Sequence, residues 1–339
     1  MRDIDRREFI VGSLGATALL LSGCSSSSSR AAADSIRTKP SAESTSAPTG
    51  ADQALPKVYF TTNISPTGLV AAFEALQISL PAKTAVKLST GEAGGNNYLK
   101  PALIKDLVRR LDATIVECNT AYAGSRSDVK GSFKTAADHG FTAIADVDIQ
   151  DADGELLLPV TSGVHLTHNR VGSHFSNYTG YLSLAHFKGH SMAGLGGAIK
   201  NIAIGIASAK GKSLIHSGGA RLTGVGAGTK QEAFLEAMAE AAKSIVDHLG
   251  NNIAFVNVMN NLSIDCDCSS HPAKPKMADI GVLSSLDPLA LDQACVDLVY
   301  AAPDGSALIK RMESRNGLHT LEYGESIGLG SRKYELLKL

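Results

Sequence analysis

The chain beyond residue 56 alternates short apolar runs with amphipathic stretches. Runs rich in β-branched and aromatic residues predict strands at 57–61, 84–88 and 113–117. Between them, Ser65-Pro66 begins a helix that extends to residue 76, and residues 101–111 carry an apolar stripe with helical spacing. Alternating strands and helices are typical of a parallel sheet covered by helices. We therefore predict an α/β fold with a mostly parallel sheet in a layered α/β/α arrangement.

The second half of the chain continues this pattern. A capping box, Thr229-Lys230-Gln231-Glu232, predicts the start of a long helix that ends at Gly250, and Asp287-Pro288 predicts the start of another helix. The other predicted elements are strands at 142–147, 156–160, 253–259 and 279–283, and a basic helix at 304–315. One α/β domain is therefore expected to reach from residue 57 to residue 339.

The first residues of the chain have the pattern of an export signal. Arg6 and Arg7 precede a mildly apolar stretch that is shorter than the ~20 residues needed to span a bilayer. Leu21-Ser22-Gly23-Cys24 then resembles the lipobox of bacterial lipoproteins, in which the cysteine is lipidated. We predict that residues 1–23 are a twin-arginine lipoprotein signal peptide, recognised by the twin-arginine export machinery. The alternative is a plain signal anchor with an incidental cysteine.

Residues 24–56 are rich in Ser, Ala, Thr and Pro and show no hydrophobic period. Such a composition buries too little apolar surface to offset the entropy of ordering. We predict a disordered tether that joins the lipid on Cys24 to the folded domain. The protein is then expected on the outer face of the cytoplasmic membrane, anchored through that lipid.

Composition narrows the classes of partner. The chain has 32 basic and 33 acidic residues and no tryptophan, which argues against a nucleic-acid partner. Its five cysteines are too few and too unevenly placed for a disulfide scaffold. Besides the membrane, we expect a small-molecule ligand.

The segment 185–201 follows an apolar, strand-like run and contains two histidines and two lysines among several glycines. His186 and His190 are four residues apart, a spacing of about 5–6 Å on a helical turn but about 13 Å in a strand. Gly189 favours a turn, so both histidines are candidate metal ligands. Lys188 is a candidate for fixing an anion or for general-base catalysis, and Lys200 is either catalytic or simply solvated.

A second candidate centre is the pair Cys266 and Cys268. As thiolates they would suit zinc, iron or copper, and together with the two histidines they define a possible transition-metal site, with zinc or iron the expected metal. They could equally form a tight disulfide, or remain reduced without a role. Two Cys-x-x-Cys pairs are absent from the sequence, so a structural zinc site is not indicated.

A glycine-rich loop follows the second predicted strand. Gly91, Gly94, Gly95 and Asn96 lie where ligands bind in parallel α/β sheets, and free backbone N–H groups there could hold an anion. Lys87, before the loop, is expected near the substrate. Asn119 follows the third strand and is predicted to face the same crevice. The alternative is that the glycines only satisfy a structural turn.

Several ordered motifs make the chain similar to a known family. They are Val86-Lys87-Leu88-Ser89-Thr90-Gly91-Glu92, Asn119-Thr120 with Tyr122, His186-Phe187-Lys188-Gly189-His190, Gly196-Gly197-Ala198-Ile199-Lys200-Asn201, Asp265-Cys266-Asp267-Cys268, Asp279-Ile280-Gly281 and Asp287-Pro288-Leu289-Ala290-Leu291-Asp292. Together they resemble the bacterial and archaeal domain-of-unknown-function family 362, often labelled iron–sulfur centre proteins, over about residues 57–339.

What this resemblance implies is limited, because the family has no settled activity. Many members insert a ferredoxin-like segment after the run that matches Lys200-Asn201. Here residues 208–229 contain no cysteine, whereas a ferredoxin-type cluster needs four thiolates, so such a cluster is not expected.

Three functional hypotheses remain open from the sequence. The first is a membrane-tethered enzyme that uses a metal or anion site on a small anionic substrate, by proton transfer or hydrolysis. The second is a non-enzymatic lipoprotein that binds a small ligand. The third is a redox accessory protein that works through the Cys266 and Cys268 pair. The first hypothesis requires the 185–201 run and the cysteine pair to meet in space.

Overall fold

The computed structural model describes residues 54–225 and 228–339. The predicted export signal with Arg6 and Arg7, the predicted lipidation site Cys24 and most of the predicted tether lie outside these residues. Within the described part of the chain, none of the helices combines the length and apolar character needed to cross a membrane.

Twelve strands and nine α-helices make up the described residues. The strands are β1 Lys57–Thr61, β2 Thr84–Lys87, β3 Thr114–Glu117, β4 Val147–Ile149, β5 Glu155–Pro159, β6 His168–Gly172, β7 Gly180–His186, β8 Lys188–His190, β9 Gly194–Gly196, β10 Ile253–Met259, β11 Gly281–Ser285 and β12 Glu335–Lys338. The helices are α1 Pro66–Glu74, α2 Pro101–Arg110, α3 Val129–Asp138, α4 Ala198–Ile206, α5 Ala209–His216, α6 Gln231–Leu249, α7 Pro288–Ala301, α8 Ser306–Ser314 and α9 His319–Ser326.

Eight strands form the central sheet, in the order β12-β1-β11-β10-β7-β2-β3-β4. Every neighbouring pair is parallel except the two pairs that involve β11, which runs antiparallel to β1 and β10. Two further hairpins, β5-β6 and β8-β9, stand apart from this sheet. The predicted mostly parallel α/β sheet is confirmed.

The sheet separates two hydrophobic layers. Because side chains alternate along a strand, Phe255 of β10 packs into one layer while Val256 packs into the other. Helices α1 and α2 cover the second layer through residues such as Leu69 and Ile104, and α4, α6 and α7 cover the first. This is the predicted α/β/α layering.

Two local predictions are wrong. The apolar run at 142–147 forms a short 3₁₀ turn, Phe141–Ala143, and the strand begins only at Val147, because Gly140 with φ +88° turns the chain after α3. The capping box at Thr229 is also absent, since α6 begins at Gln231 after an uncapped Lys230. The Gln231 amide instead donates to backbone carbonyls at Met192 and Arg315, so tertiary contacts decide where the helix begins.

Candidate functional site

A cavity of about 300 Å³ opens at the carboxyl ends of three neighbouring parallel strands. Lys87 ends β2, Glu117 ends β3 and His186 ends β7, and all three line the cavity. The β8-β9 hairpin, α4, α5, the segment 118–126 and the loop at 266–268 supply most of the remaining wall. Ligands of open parallel sheets bind at this edge, so the topology itself marks the cavity as the candidate site.

The two reactive stretches of the sequence meet at this cavity. One ligand atom each from His190, Cys266 and Cys268 lies within 4.8 Å of the others, and all three residues line the cavity. Three such atoms could hold a metal ion. The convergence expected from the sequence is therefore present in the fold.

The cysteine pair is joined as a disulfide, Cys266–Cys268. Cysteine binds metal as the thiolate, so these two residues become metal ligands only after reduction. The remaining cysteines within the described residues, Cys118 and Cys295, are free and buried. Burial raises the pKa of the Cys118 thiol to about 12, so this side chain stays protonated and packs as a small hydrophobe.

His186 does not join His190 in the metal group. The two residues lie in successive short strands, β7 and β8, instead of the predicted turn. Both ring nitrogens of His186 are occupied: Nδ1 lies 2.8 Å from an Asp267 carboxylate oxygen and Nε2 lies 2.7 Å from the Asn260 carbonyl oxygen. The prediction of His186 as a metal ligand therefore does not fit the structure, and this residue instead orients Asp267.

His190 is held in one tautomer by its own hairpin. The backbone N–H groups of Met192 and Ala193 both donate to Nδ1, at 3.1 and 2.9 Å. Nδ1 therefore carries the lone pair, and the neutral ring has its proton on Nε2. Burial and the nearby lysines lower the pKa of His190, which keeps the ring neutral. Metal binding by either nitrogen would require at least one of these amide contacts to be lost.

Positive charge dominates the cavity wall. Five basic side chains line it against two carboxylates; the basic residues are Lys87, Arg126, Lys188, Lys200 and Lys212, and the carboxylates are Glu117 and Asp267. Lys87 lies 3.0 Å and Arg126 3.4 Å from Glu117, and Lys188 lies 2.9 Å from Asp267. Excess positive charge in a cavity with buried walls attracts small anions. The predicted positions of Lys87, Lys188 and Lys200 near a ligand agree with this geometry.

Lys200 differs from the other cations. Lys212 donates to the Ala207 carbonyl oxygen at 2.6 Å, whereas Lys200 makes no hydrogen bond or ion pair with any residue that the structure describes. Burial, and then the charge of Lys188, lower the pKa of Lys200 to about 7. Near neutral pH a substantial fraction of this side chain is therefore an uncharged amine.

Helix α4 fixes the position of Lys200. The next residue, Asn201, donates through Nδ2 to the Lys87 carbonyl oxygen at 2.8 Å and to the Ser183 hydroxyl at 2.9 Å, which ties α4 to β2 and β7. At the preceding Gly196, a Cβ atom would lie 3.6 Å from both Lys188 and Lys200. Both distances are ordinary van der Waals contacts, so the backbone at Gly196 lies close to both lysine side chains.

The predicted anion loop is not part of the cavity wall. Gly91, Gly94, Gly95, Asn96 and Asn119 do not line the cavity, although Ser89 and Thr120 do. The Gly95 amide donates to the Glu92 carbonyl oxygen, and the Glu92 amide donates to the Asp267 carbonyl oxygen at 2.8 Å. Asn119 accepts a hydrogen bond from Ser132. The glycines therefore form a turn that supports the loop at Cys266 and Cys268. This agrees with the alternative given above, a structural turn, and not with anion binding.

Several residues of the site were missed in the sequence. Asp267 binds both His186 and Lys188, and its position between two cysteines was the available signal. Glu117, at a strand end, was also identifiable. Arg126, Lys212 and His216 had no local signal, because they come from irregular or small-residue segments that only the tertiary fold brings to the cavity.

Comparison with known proteins identifies the family of the chain. The chain matches the family described as domain of unknown function (DUF362) over residues 84–297, a segment that contains the cavity-lining strands and α4. The protein therefore belongs to this family. None of the curated proteins compared with it matches.

Two solved structures are similar to the chain at low identity. The lactate racemase apoprotein from Thermoanaerobacterium thermosaccharolyticum is 15% identical with a TM-score of 0.43, over 73% of this chain and 57% of that one. A protein from Thermotoga maritima is 10% identical with a TM-score of 0.38, over 77% of this chain and 58% of that one. The chain thus spans less than two thirds of either structure.

Proposed function

We propose that the protein is an enzyme that binds a small carboxylate anion in the cationic cavity and removes a proton from it with Lys200. The observation that carries this proposal is the state of Lys200: it faces a cavity with excess positive charge, yet it has no hydrogen-bond or ion-pair partner among the described residues. A partly neutral amine beside fixed cations combines a base with groups that bind an anion.

The proposed step is the transfer of one proton. The bound carboxylate is held by cationic side chains, and the uncharged Nζ of Lys200 takes a proton from the carbon next to the carboxylate. The electron pair of the broken C–H bond remains on the substrate, where Lys188 and Lys212 stabilise the added negative charge. The burial that lowers the pKa of Lys200 therefore supports base catalysis at neutral pH.

Deuterium exchange tests this proposal. The protein is incubated in D₂O with a panel of small mono- and dicarboxylates, and incorporation at carbon is followed by NMR, while calorimetry measures binding. Lys200→Arg is the matched variant, because arginine keeps the positive charge but stays protonated at neutral pH. We expect this variant to retain binding within ~5-fold and to lose at least ~100-fold in exchange rate.

Other outcomes of this experiment decide between the hypotheses. Binding without exchange in the wild-type protein would favour the non-enzymatic ligand-binding lipoprotein. Equal exchange by the wild type and Lys200→Arg would contradict the role of Lys200 as the base.

A second candidate function is a metal centre at His190, Cys266 and Cys268, with zinc or iron as the metal. The proximity of the three ligand atoms favours it. Reduction of the disulfide by a dithiol would supply two thiolates, which these metals prefer. We expect the reduced protein to retain about one Zn²⁺ or Fe²⁺ after gel filtration and Cys266→Ser/Cys268→Ser to retain none; no metal on the reduced wild type would contradict it.

The redox alternative is tested on the same pair of cysteines. A redox accessory protein would show a disulfide that a dithiol opens and an oxidant closes, so titration of native protein should find the pair oxidised. Two free thiols at this pair in native protein would dismiss the redox function.

We also propose that the protein is exported by the twin-arginine machinery and anchored through lipid on Cys24. The order and spacing of Arg6, Arg7 and the Leu21-Ser22-Gly23-Cys24 motif support this location.

A further inference from the structure

His216 is a buried side chain that the proposed proton transfer does not use. It ends α5, is 8% exposed, and stacks on Phe234 with ring centroids 4.8 Å apart. Its Nδ1 lies 2.7 Å from the Lys212 carbonyl oxygen. A carbonyl oxygen only accepts, so Nδ1 carries the proton and Nε2 of the neutral ring carries a lone pair.

The environment keeps this ring uncharged. Burial, together with the charges of Lys200 and Lys212, lowers the pKa of His216 to about 4. Among the described residues Nε2 has no hydrogen-bond partner, and His216 lines the cavity. The cavity therefore contains a fixed, neutral acceptor that no other part of the described chain satisfies.

This acceptor contrasts with its neighbours. The ammonium group of Lys212 donates a hydrogen bond to the Ala207 carbonyl oxygen, and Nε2–H of His190 is a donor group, as its tautomer requires. A ligand that satisfies His216 must present a hydrogen-bond donor next to its anionic group. A ligand ammonium would be repelled by the excess of positive charge, whereas a hydroxyl group is neutral and donates one hydrogen bond.

We propose that the ligand of this cavity is a small carboxylate that also carries a hydroxyl group, and that Nε2 of His216 accepts the hydrogen bond of that hydroxyl. This inference rests on the proposed function, since it specifies the anion that the cavity binds. His216 then acts as a specificity residue: a carboxylate without the hydroxyl leaves a buried acceptor unpaired, which is costly.

Matched ligand pairs test the inference. Calorimetry compares malate with succinate, and glycolate with acetate, on the wild-type protein; each pair differs by one hydroxyl group. We expect the hydroxylated ligand to bind at least ~10-fold more tightly, as recognition by a site built for a hydroxyl predicts. His216→Phe keeps the ring stacking on Phe234 but removes the acceptor, so we expect the preference to fall to ~3-fold or less with succinate affinity retained.

Two further variants control the experiment. His168→Phe changes an exposed histidine of β6 that does not line the cavity, and it should keep the wild-type preference. His216→Gln supplies an amide oxygen and should restore part of the preference lost in His216→Phe, even if the phenylalanine variant folds poorly.

The possible failures are distinguishable. If the wild type binds both members of each pair equally, or if His216→Phe and His216→Gln both keep the full preference, the inference is overturned while the anion-binding function stands. If none of the carboxylates binds, the proposed function fails and this inference fails with it.

Discussion

Asp292 of α7 accepts a 2.7 Å hydrogen bond from the backbone N–H of Ala198, the first residue of α4. Its second carboxylate oxygen accepts from Ile199 at 3.0 Å, and Asn257 also donates to the carboxylate at 2.7 Å. Gly197 offers no capping side chain, and a Cβ atom there would collide with Asp292. A carboxylate from a distant helix therefore caps α4 and holds Lys200 in the cavity.

Replacing Asp292 with Asn should destabilise the fold and weaken catalysis together. The amide can accept at one atom only and turns an N–H₂ group towards backbone donors, so we expect a loss of about 2–3 kcal/mol in the free energy of unfolding. Chemical denaturation measures this loss, and Asp297→Asn on the exposed side of α7 is the control, with an expected change below ~1 kcal/mol. Equal losses for both variants would argue against the capping role.

The same carboxylate gives the protein a pH dependence of stability. Burial raises the pKa of Asp292 to about 6, against an ordinary value near 3.8. The folded state therefore binds the proton more tightly than the unfolded state. Protonation of Asp292 therefore adds about 3 kcal/mol to the free energy of unfolding below about pH 4. This contribution is lost as the pH rises through 6.

Unfolding free energies at pH 4 and pH 7 test this linkage. We expect Asp292→Asn to lack this contribution, so the difference between variant and wild type should shrink as the pH rises from 4 to 7. A difference that grows over the same interval would show that the pKa of Asp292 is lowered by folding instead of raised.

Glu117 connects two cations beneath the cavity. It accepts from Lys87 and Arg126, as well as from the Thr90 backbone amide at 2.9 Å, and it is 6% exposed. Glu117→Gln would leave two buried cations without their shared anion, so we expect the free energy of unfolding to fall by about 3–5 kcal/mol. Glu74→Gln breaks an exposed ion pair with Arg110 and should cost less than ~1 kcal/mol. Comparable losses in the two denaturation curves would contradict this account.

Export and lipid anchoring predict a change of location in one variant. Cys24→Ser removes the sulfur that would carry the lipid, so the protein should move from the membrane pellet to a soluble fraction after cell lysis. Ser25→Ala keeps Cys24 and should remain in the pellet. Wild-type protein found mainly in the soluble fraction would contradict the anchor.

The sequence predicted the architecture better than the details of the site. Strand periodicity located β2, β3 and β7, whose last residues lie at one edge of the sheet. Lys87 was found through the loop that follows β2, and His186 through its spacing from His190, although its predicted role as a metal ligand does not fit. Of the two alternatives for the glycine loop, the structural turn agrees with the fold, because its amides donate to backbone carbonyls. His216 carried no signal, since only the tertiary fold brings α5 to the cavity.

The central claim is that Lys200 is partly an uncharged amine near neutral pH, and its protonation can be measured directly. In protein labelled with ¹⁵N at lysine Nζ, the Lys200 signal is assigned by its loss in Lys200→Arg and followed from pH 5 to pH 11. The account predicts that the Lys200 signal titrates with a midpoint near pH 7, because the amine is buried and lies unpaired among other cations. A midpoint near the ordinary lysine value of about 10.4 would contradict it.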